Sequence, residues 1–224
     1  MLEVSDIYKH YKENKVLRGA SFTARPGDCV GIIGANGCGK TTLFSILAGT
    51  IKGDEGSLKL DGKEAFNSPR RLAKYIAYVP QENPIIEDLS VKDNLKLWYK
   101  GDKNQLKQDL EQEAPHMMGI GSVLSKTAGK LSGGMKKRLS IACALSNQAS
   151  ILVMDEPGAA LDLMCKEDIR KYLTGFMKQG GIVLLASHEL AELSLCNKMY
   201  VLKQGKLMPV STNLSAQELV SQFI

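Results

Sequence analysis

A glycine-rich segment that contains a lysine and a threonine has the composition and spacing of a phosphate-binding loop. The letters GANGCGKTT at 34–42 fit the pattern G-x-x-x-x-G-K-[ST], and they lie between an apolar run at 28–33 that predicts a buried strand and a helical pattern at 40–48. In such a loop the glycines turn backbone amides toward phosphate oxygens, the lysine neutralises the β- and γ-phosphates, and the hydroxyl ligates Mg²⁺. A glycine-rich turn without a ligand is the alternative. We predict nucleotide contacts from Gly34, Ala35, Asn36, Gly37, Cys38, Gly39, Lys40, Thr41 and Thr42, with Thr41 also on the metal.

Two carboxylates follow another apolar run and are suited to metal binding and base catalysis. In ILVMDEP at 151–157, Asp155 and Glu156 come at the end of the run, and open α/β sheets bind ligands at the carboxyl edge of their strands. Asp155 can hold the shell of a Mg²⁺ ion, and Glu156 can act on an attacking water as general base or positioning group. Without a phosphate loop, an ordinary strand-end turn would be the better interpretation.

A histidine and a glutamine follow two further strand-like runs. His188 comes after GIVLLAS, so its imidazole can touch a γ-phosphate at the same sheet edge, although a lone histidine is more often structural. Gln81 comes after YIAYVP, and its side-chain carbonyl can reach Mg²⁺ or water. We interpret the other two histidines, His10 and His116, as structural.

The segment KLSGGMKKRLS at 130–140 predicts a helix that begins at an anion site. Ser132 is a typical N-cap residue, because its hydroxyl can accept from an amide of the first turn. Gly133 and Gly134 weaken the helix but leave bare N–H groups at the positive end of its dipole, which is how chains bind phosphate. For this segment taken alone, a capped helix after a loose loop is the alternative.

The elements that carry these residues indicate an α/β fold with a mainly parallel sheet. Strand-like runs at YIAYVP, ILVMD and GIVLLAS alternate with helical spacing, as in a sheet covered on both faces. The runs LEVSDIY, GASFTA and GSLKLDGK predict an antiparallel part near the N-terminus. From about Ser90 to Asn147 the strand patterns stop and helical spacing appears, including near Leu106 and Leu110. A helix over Lys166–Lys178, a hairpin turning at Gln204-Gly205 and a short helix in the last ten residues follow.

We therefore predict one domain over residues 1–224. Its α/β core comprises residues 1–82 and 148–224, and residues 83–147 form an inserted helical subdomain. The length and the 44% hydrophobic content suit a sizeable core. No run is apolar for the eighteen or so residues of a membrane helix, and the N-terminus lacks a signal-peptide core, which favours the cytosol.

Charge and cysteine content restrict the function only loosely. The net charge of +5 permits binding to nucleotide, nucleic acid or an anionic membrane surface. The five cysteines form no CxxC pair, so neither a zinc site nor a disulfide framework is supported. Cys38 lies inside the glycine-rich loop beside Lys40 and a helix start, which favour the thiolate, so we predict that it is the most reactive of the five.

Taken together, GANGCGKTT, Gln81, KLSGGM, ILVMDEP and ASHEL come in an order that resembles the ATP-binding cassette (ABC) family of ATPases. The resemblance covers essentially the whole chain. LSGG is its most diagnostic motif, since other P-loop proteins share the GANGCGKTT and ILVMDEP types of motif. The alternative of a P-loop kinase would leave LSGG unexplained. The resemblance implies a P-loop NTPase with ATP and Mg²⁺ as cofactors, catalytic roles for Lys40, Glu156 and His188, and Mg²⁺ ligation by Thr41, Gln81 and Asp155. Tyr11 matches an aromatic that stacks on adenine in such cassettes, with a surface tyrosine as the alternative.

The resemblance also implies a homodimer that forms on ATP binding, because two cassettes of this family pack head to tail. Ser132, Gly133 and Gly134 would bind the γ-phosphate held by the partner chain, and Asp162 would lie at the dimer seam. Met135 stands where glutamine is commonest in the family, and we interpret it as core filler.

Two segments resemble the sequences of cassettes that serve simple exporters, namely LSGGMKKRLSIACAL and ENPIIEDLSVKDNL. This resemblance implies the ATP-hydrolysing subunit of an ABC transporter, in the cytoplasm and peripheral on the cytoplasmic face of the membrane. A separate transmembrane subunit is the expected partner and would choose the transported substrate; no nucleic acid is expected. The alternative is a soluble ABC ATPase that acts on the ribosome, nucleic acid or an assembly scaffold.

Overall fold

The computed structural model describes residues 1–82, 84–99, 118–146, 149–158, 161–213 and 215–221 of the chain. Its strands are, in chain order, β1 (Leu2–Tyr11), β2 (Asn14–Ala24), β3 (Cys29–Ile33), β4 (Glu55–Leu60), β5 (Lys63–Glu64), β6 (Ile76–Val79), β7 (Ile151–Asp155), β8 (Ile182–Ala186), β9 (Lys198–Lys203) and β10 (Lys206–Val210). The helices are α1 (Lys40–Leu47), α2 (Pro69–Tyr75), α3 (Val91–Trp98), α4 (Gly133–Leu145), α5 (Leu163–Lys178), α6 (Leu190–Leu193) and α7 (Ala216–Ser221). Single 3₁₀ turns occur at Gly121–Val123 and Ala128–Lys130.

Six strands form the larger sheet, in the order β10-β9-β3-β8-β7-β6. All neighbours in it are parallel except β9 and β10, which form the predicted hairpin with Gln204 and Gly205 in left-handed conformations at its turn. Because β3, β6, β7 and β8 run in the same direction, their carboxyl ends meet at one edge of the sheet. The segments predicted to bind nucleotide and metal therefore leave the sheet side by side.

The smaller sheet is antiparallel and has the order β2-β1-β4-β5. Asp61 and Gly62, both at positive φ, connect β4 to β5, as the Asp-Gly pair predicts. The run LEVSDIY extends further than predicted, to Tyr11, because β1 pairs with β2 along its whole length.

The core has two layers, one on each face of the six-stranded sheet. Alternate residues of each central strand enter opposite layers: Val30 and Ile32 pack with α1 and the antiparallel sheet, whereas Cys29 and Ile33 pack with the layer that contains α4 and α5. This arrangement explains why the central strands read as continuous apolar runs, since both of their faces are buried.

Three helices differ from their predictions. Helix α2 was not predicted; it has seven residues and buries only Leu72, so its helical spacing is weak in the sequence. Helix α5 begins at Leu163 and not at Lys166, because Asp162 caps it by accepting from the Cys165 amide at 2.8 Å. Helix α1 ends one residue early, at Leu47. The helical spacing predicted near residues 106 and 110, and His116, lie outside the described residues.

Residues 83–147, where described, contain helices α3 and α4 and no strand longer than a single bridge between Ser90 and Thr127. Helices α3 and α4 pack on each other, and Met135 joins their apolar layer as expected of core filler. The division into a core and an inserted subdomain stays a prediction. None of the described helices combines the length and the apolar character needed to cross a membrane.

Candidate functional site

The glycine-rich loop between β3 and α1 curls where its glycines stand. Gly34, Gly37 and Gly39 have φ values of 154°, 76° and 111°, a region that favours glycine. A Cβ on Gly34 would come within 2.7 Å of both the Cys38 Sγ and the Leu202 carbonyl oxygen. Gly34 and Gly39 are therefore required because neighbouring atoms come too close for a Cβ, whereas Gly37 is required only by its positive φ.

The ammonium of Lys40 lies inside this loop and is almost fully buried. Its Nζ donates to the Gly34 carbonyl at 2.7 Å and to the Ala35 carbonyl at 3.3 Å, and it lies 3.3 Å from the His188 Nε2. A phosphate group that enters the loop would therefore meet a positive charge and the start of helix α1 together.

Oxygen ligands suited to a divalent cation meet beside the loop. The Thr41 hydroxyl donates to the Asp155 Oδ2 at 2.6 Å. Burial raises the pKa of the Asp155 carboxyl, whose residue is 2% exposed, and the Thr41 bond only partly opposes this. In the part of the chain that the structure describes, no cation lies within ion-pair distance of Asp155. The residues fit Mg²⁺, which binds through one or two carboxylates and would offset the cost of burying this one.

Glu156 contacts the two other predicted residues at this edge of the sheet, Gln81 and His188. Gln81 donates from Nε2 to one of its carboxylate oxygens at 3.2 Å, and the His188 Nε2 lies 3.4 Å from the other. The Glu156 backbone amide donates to the Ala186 carbonyl at 2.9 Å, which ties the turn after β7 to the end of β8. Burial, followed by the nearby Lys40 ammonium, lowers the pKa of His188, so its imidazole is neutral at neutral pH.

The LSGG segment at 131–134, called the signature below, contains Ser132, which caps helix α4 as the sequence predicts. Ser132 Oγ accepts from the Met135 amide at 3.3 Å at the start of α4. A Cβ on Gly133 would meet nothing within 4 Å, whereas one on Gly134 would lie 3.6 Å from the Asp162 Oδ2. Ser132 and Gly133 are exposed, so the amino end of α4 faces open space beside the cap of α5.

The structure thus brings six predicted residues into contact at the sheet edge. The six are Lys40, Thr41, Gln81, Asp155, Glu156 and His188. Tyr11 lies at the end of β1 and is 49% exposed, and the Lys9 ammonium lies 5.3 Å from the centre of its ring. The exposed ring is compatible with stacking on adenine, and this role stays a prediction.

One part of the Cys38 prediction is wrong. Burial raises the pKa of this thiol by more than the neighbouring Lys40 ammonium lowers it, so the thiolate is not favoured. Its surroundings in the sequence showed the cation but not the burial. Cys38 is nevertheless the one cysteine of the five that is not buried.

We expect a maleimide to modify Cys38 before the other cysteines, because access and not acidity distinguishes it. The rate should rise with pH through the alkaline range, ATP should protect the thiol, and modification should block nucleotide binding. Peptide mass spectrometry after timed labelling measures this, with Cys38→Ser as the unlabelled control. Modified protein that binds ATP normally would show that Cys38 is not part of the nucleotide site.

Lys137 lies next to the site and is not identified by its sequence pattern. It lies on α4 among the three consecutive cations of KKR, which suggest a solvent-exposed face, yet it is buried and donates to the carbonyl oxygens of Pro80 and Gln81. Its spacing from Ser140, Ile141 and Ala144 on the same helix is the signal that could have identified a buried face.

Comparison with known families decides what this site belongs to. Residues 17–159, more than half of the chain, match the family described as ABC transporter. The chain belongs to the ABC transporter family. The resemblance drawn from the motif order is confirmed, and so is the P-loop α/β fold class.

Relatives of this ABC cassette include proteins of both transport directions. It is 31% identical to the lipopolysaccharide export system ATP-binding protein LptB of Haemophilus influenzae, over 95% of this chain and 90% of that protein. It is 32% identical to the Nod factor export ATP-binding protein I of Burkholderia pseudomallei strain 1710b, over 92% of this chain and 68% of that one. It is also 32% identical to the ribose import ATP-binding protein RbsA of Bacillus licheniformis, but covers only 43% of it.

Solved structures of ABC cassettes superpose closely on this one. A nucleotide-free ATP-binding cassette from an ABC transporter has a TM-score of 0.83 and 27% identity, covering 93% of this chain and 89% of that one. A dimeric cassette in a post-hydrolysis state, bound to ADP and Pi, has a TM-score of 0.83 and 25% identity, covering 96% of this chain and all of the other. The protein is an ABC ATPase that binds and hydrolyses ATP; the roles of single residues stay predictions.

Proposed function

We propose that this cassette powers export through a separate membrane subunit, and that two copies close around two ATP molecules. The observation that carries the proposal is the cluster at the sheet edge, where Lys40, Glu156 and His188 meet beside the oxygen pair of Thr41 and Asp155. Lys40 lies inside the glycine-rich loop, and the others are linked by these contacts to Lys40 or to the adjacent Thr41, so one triphosphate could contact all of them.

In this proposal the chain's own residues divide the work of hydrolysis. The loop amides and Lys40 hold the β- and γ-phosphates, while Thr41 and Asp155, with Gln81, hold Mg²⁺, which supplies charge neutralisation on the phosphates. Glu156 accepts a proton from the attacking water, and Gln81 orients the carboxylate through its 3.2 Å bond. The neutral His188 donates or accepts a hydrogen bond at the γ-phosphate from its place between Lys40 and Glu156.

The site becomes complete when a second chain adds its signature. Ser132 and the amides of Gly133 and Gly134 lie at an exposed helix start, which suits an anion supplied by another molecule. Asp162, beside Gly134, would lie at the same seam. The dimeric cassette among the solved structures supports dimerisation of this chain.

A groove of about 620 Å³ offers a docking place for the membrane subunit. It runs between α1 and β6 on one side and α3 and α4 on the other, next to Gln81, and its lining is mainly apolar. Trp98 lines it and is 44% exposed. Ser140 also lines it, and its hydroxyl is buried without a hydrogen-bond partner among the described residues. An apolar segment that carries one polar group could pack on Trp98 and form a hydrogen bond with Ser140.

The relatives favour export. The chain spans 90% of the lipopolysaccharide export relative and 68% of the Nod factor relative, but less than half of the ribose import relative. A cassette that docks a membrane subunit in this way would be peripheral on the cytoplasmic face of the membrane.

Replacing Trp98 with glutamate should separate the cassette from its membrane subunit, since a buried charge in an apolar interface is costly. We expect at least about tenfold less hydrophobic partner to co-purify from detergent-solubilised membranes, equivalent to about 1.4 kcal/mol. Leu97→Glu is the matched control, because Leu97 is the preceding residue of α3 and does not line the groove. The ATPase activity of both isolated variants should stay near that of the parent.

Three outcomes would contradict the proposal. The parent chain could retain ribosomes or nucleic acid in place of a membrane protein, which would favour the soluble ATPase. The two glutamate variants could lose the partner equally, which would place the docking surface elsewhere. Reconstitution of the purified complex could accumulate substrate in the import direction, which would overturn export alone.

A further inference from the structure

Lys137 is a buried cation that the catalytic proposal does not use. It is 3% exposed, and within the described ranges no carboxylate lies at ion-pair distance from it. Burial lowers the pKa of Lys137, while the more distant carboxylates of Asp155, Glu192 and Glu156 raise it. A charge in such surroundings needs hydrogen-bond acceptors, because an unpaired buried charge is strongly destabilising.

The acceptors of Lys137 belong to the segment that carries Gln81. Its Nζ donates to the Pro80 carbonyl at 2.9 Å and to the Gln81 carbonyl at 3.3 Å. These are charge-assisted bonds to backbone, which hold the path of the chain and not just a side chain. The side chain of Gln81 in turn donates to Glu156 at 3.2 Å. A continuous line of contacts therefore joins helix α4 to the carboxylate.

Helix α4 is also the helix that begins at the signature. Lys137 follows Ser132 by five residues, which corresponds to about 7.5 Å along the axis. The same rigid element thus presents its amino end to an anion and, one and a half turns later, holds the backbone at Gln81. A displacement of the helix start would be carried to Gln81 without passing through the rest of the sheet.

We propose that Lys137 is a positioning residue for ATP hydrolysis, which fastens the Pro80 and Gln81 backbone to the signature helix and so keeps the Gln81 amide on Glu156. The inference rests on the proposed role of Glu156 and deepens it. Occupation of the signature by the partner's nucleotide then sets the position of the catalytic carboxylate in this chain. Lys137 does not touch the nucleotide and acts only through Gln81.

The adjacent lysine gives a matched control. Lys136 lies on the same helix, but its Nζ pairs with the exposed carboxylate of Glu87, and among the described residues it makes no hydrogen bond or ion pair with the site. Lys137→Met preserves the length and apolar stem of the side chain and removes its donors. We expect kcat to fall about tenfold to a hundredfold, the effect of a small misplacement near the chemistry, with KM and ATP affinity within about twofold. Lys136→Met should behave like the parent, and Lys137→Arg, which keeps its donors, should recover part of the loss.

A double-mutant cycle with Gln81→Ala tests whether Lys137 acts through Gln81. If it does, Lys137→Met in the Gln81→Ala background should change kcat by less than about twofold, since contacting residues are not additive. A further tenfold or larger loss in that background, or a change in KM alone, would overturn the inference. The cycle compares only these two residues, so it stays informative even if Glu156 is not the base.

Stability is measured on every variant by thermal unfolding. If Lys137→Met does not fold, Lys137→Gln replaces it in the same cycle, because its amide can still donate to one of the two carbonyls and should give an intermediate kcat. A purely structural lysine would lower the unfolding temperature and leave kcat of the folded protein unchanged, which would also overturn the inference.

Discussion

Glu156→Gln is expected to lower kcat by about a hundredfold to ten-thousandfold, the usual contribution of a positioned general base, while ATP affinity stays near that of the parent. The amide preserves the shape of the carboxylate, and its carbonyl oxygen can still accept from Gln81, whose Nε2 lies 3.2 Å from Glu156 in the parent. What it loses is the ability to take a proton from water. Bound ATP should therefore persist and hold two chains together.

Steady-state ATPase assays and gel filtration with light scattering, in ATP and Mg²⁺, measure the two halves of this expectation. The variant should elute as a dimer with ATP and as a monomer without it. Glu87→Gln is the control, because Glu87 is an exposed carboxylate whose partner is Lys136. A Glu156→Gln protein that hydrolyses ATP at the parent rate would remove Glu156 from the proposed role.

Mixing two inactive variants should restore activity if each ATP site is shared between chains. Lys40→Ala removes the cation inside the glycine-rich loop, and Ser132→Arg blocks the exposed start of α4. Each homodimer has two damaged sites and should be inactive. In the mixed dimer one site carries both lesions, whereas the other combines an intact Lys40 with an intact Ser132. Activity should return toward the level of one working site, measured against a covalently linked pair of parent and mutant chains.

The control for this mixture is Lys40→Ala with Glu156→Gln. Both of these residues belong to the same half of the site, so every mixed dimer keeps two damaged sites and should stay inactive. If two sites must hydrolyse together, the linked pair of parent and mutant will be inactive as well, and the mixture is then compared with it. If the linked pair shows that Lys40 and Ser132 must be intact in one chain, Ser132 is only a helix cap.

Much of the candidate site could be predicted because several of its residues lie at or just after the end of a strand. Gln81, Asp155 and His188 come at or just after the ends of apolar runs, and parallel strands bring such ends to one edge. The glycine pattern adds the loop, and Ser132 adds a capped helix start. Chain direction alone predicts that these groups share one edge of the sheet, whereas the strand order and the side-chain contacts come from the structure.

The features that the sequence does not predict correctly depend on how much of each side chain is buried, and the local sequence pattern does not show this. Lys137 belongs to a run of three cations, a pattern that gives no sign of burial, yet the segment with Pro80 and Gln81 covers it. The thiol of Cys38 was judged by its charged neighbour, whereas desolvation has the larger effect on its pKa. Helix α2 is short and buries a single leucine, too little for a periodic signal.

The backbone of Glu156 shows how this fold balances stability against activity. Its φ of 48° lies in the left-handed region, which residues other than glycine rarely adopt. This backbone conformation costs on the order of 1–3 kcal/mol. Glycine would relax this turn, so selection for thermal tolerance alone would draw position 156 away from glutamate. The protein keeps a locally unfavourable conformation at the residue on which hydrolysis is proposed to depend, and heat resistance and turnover are therefore opposing demands on one backbone angle.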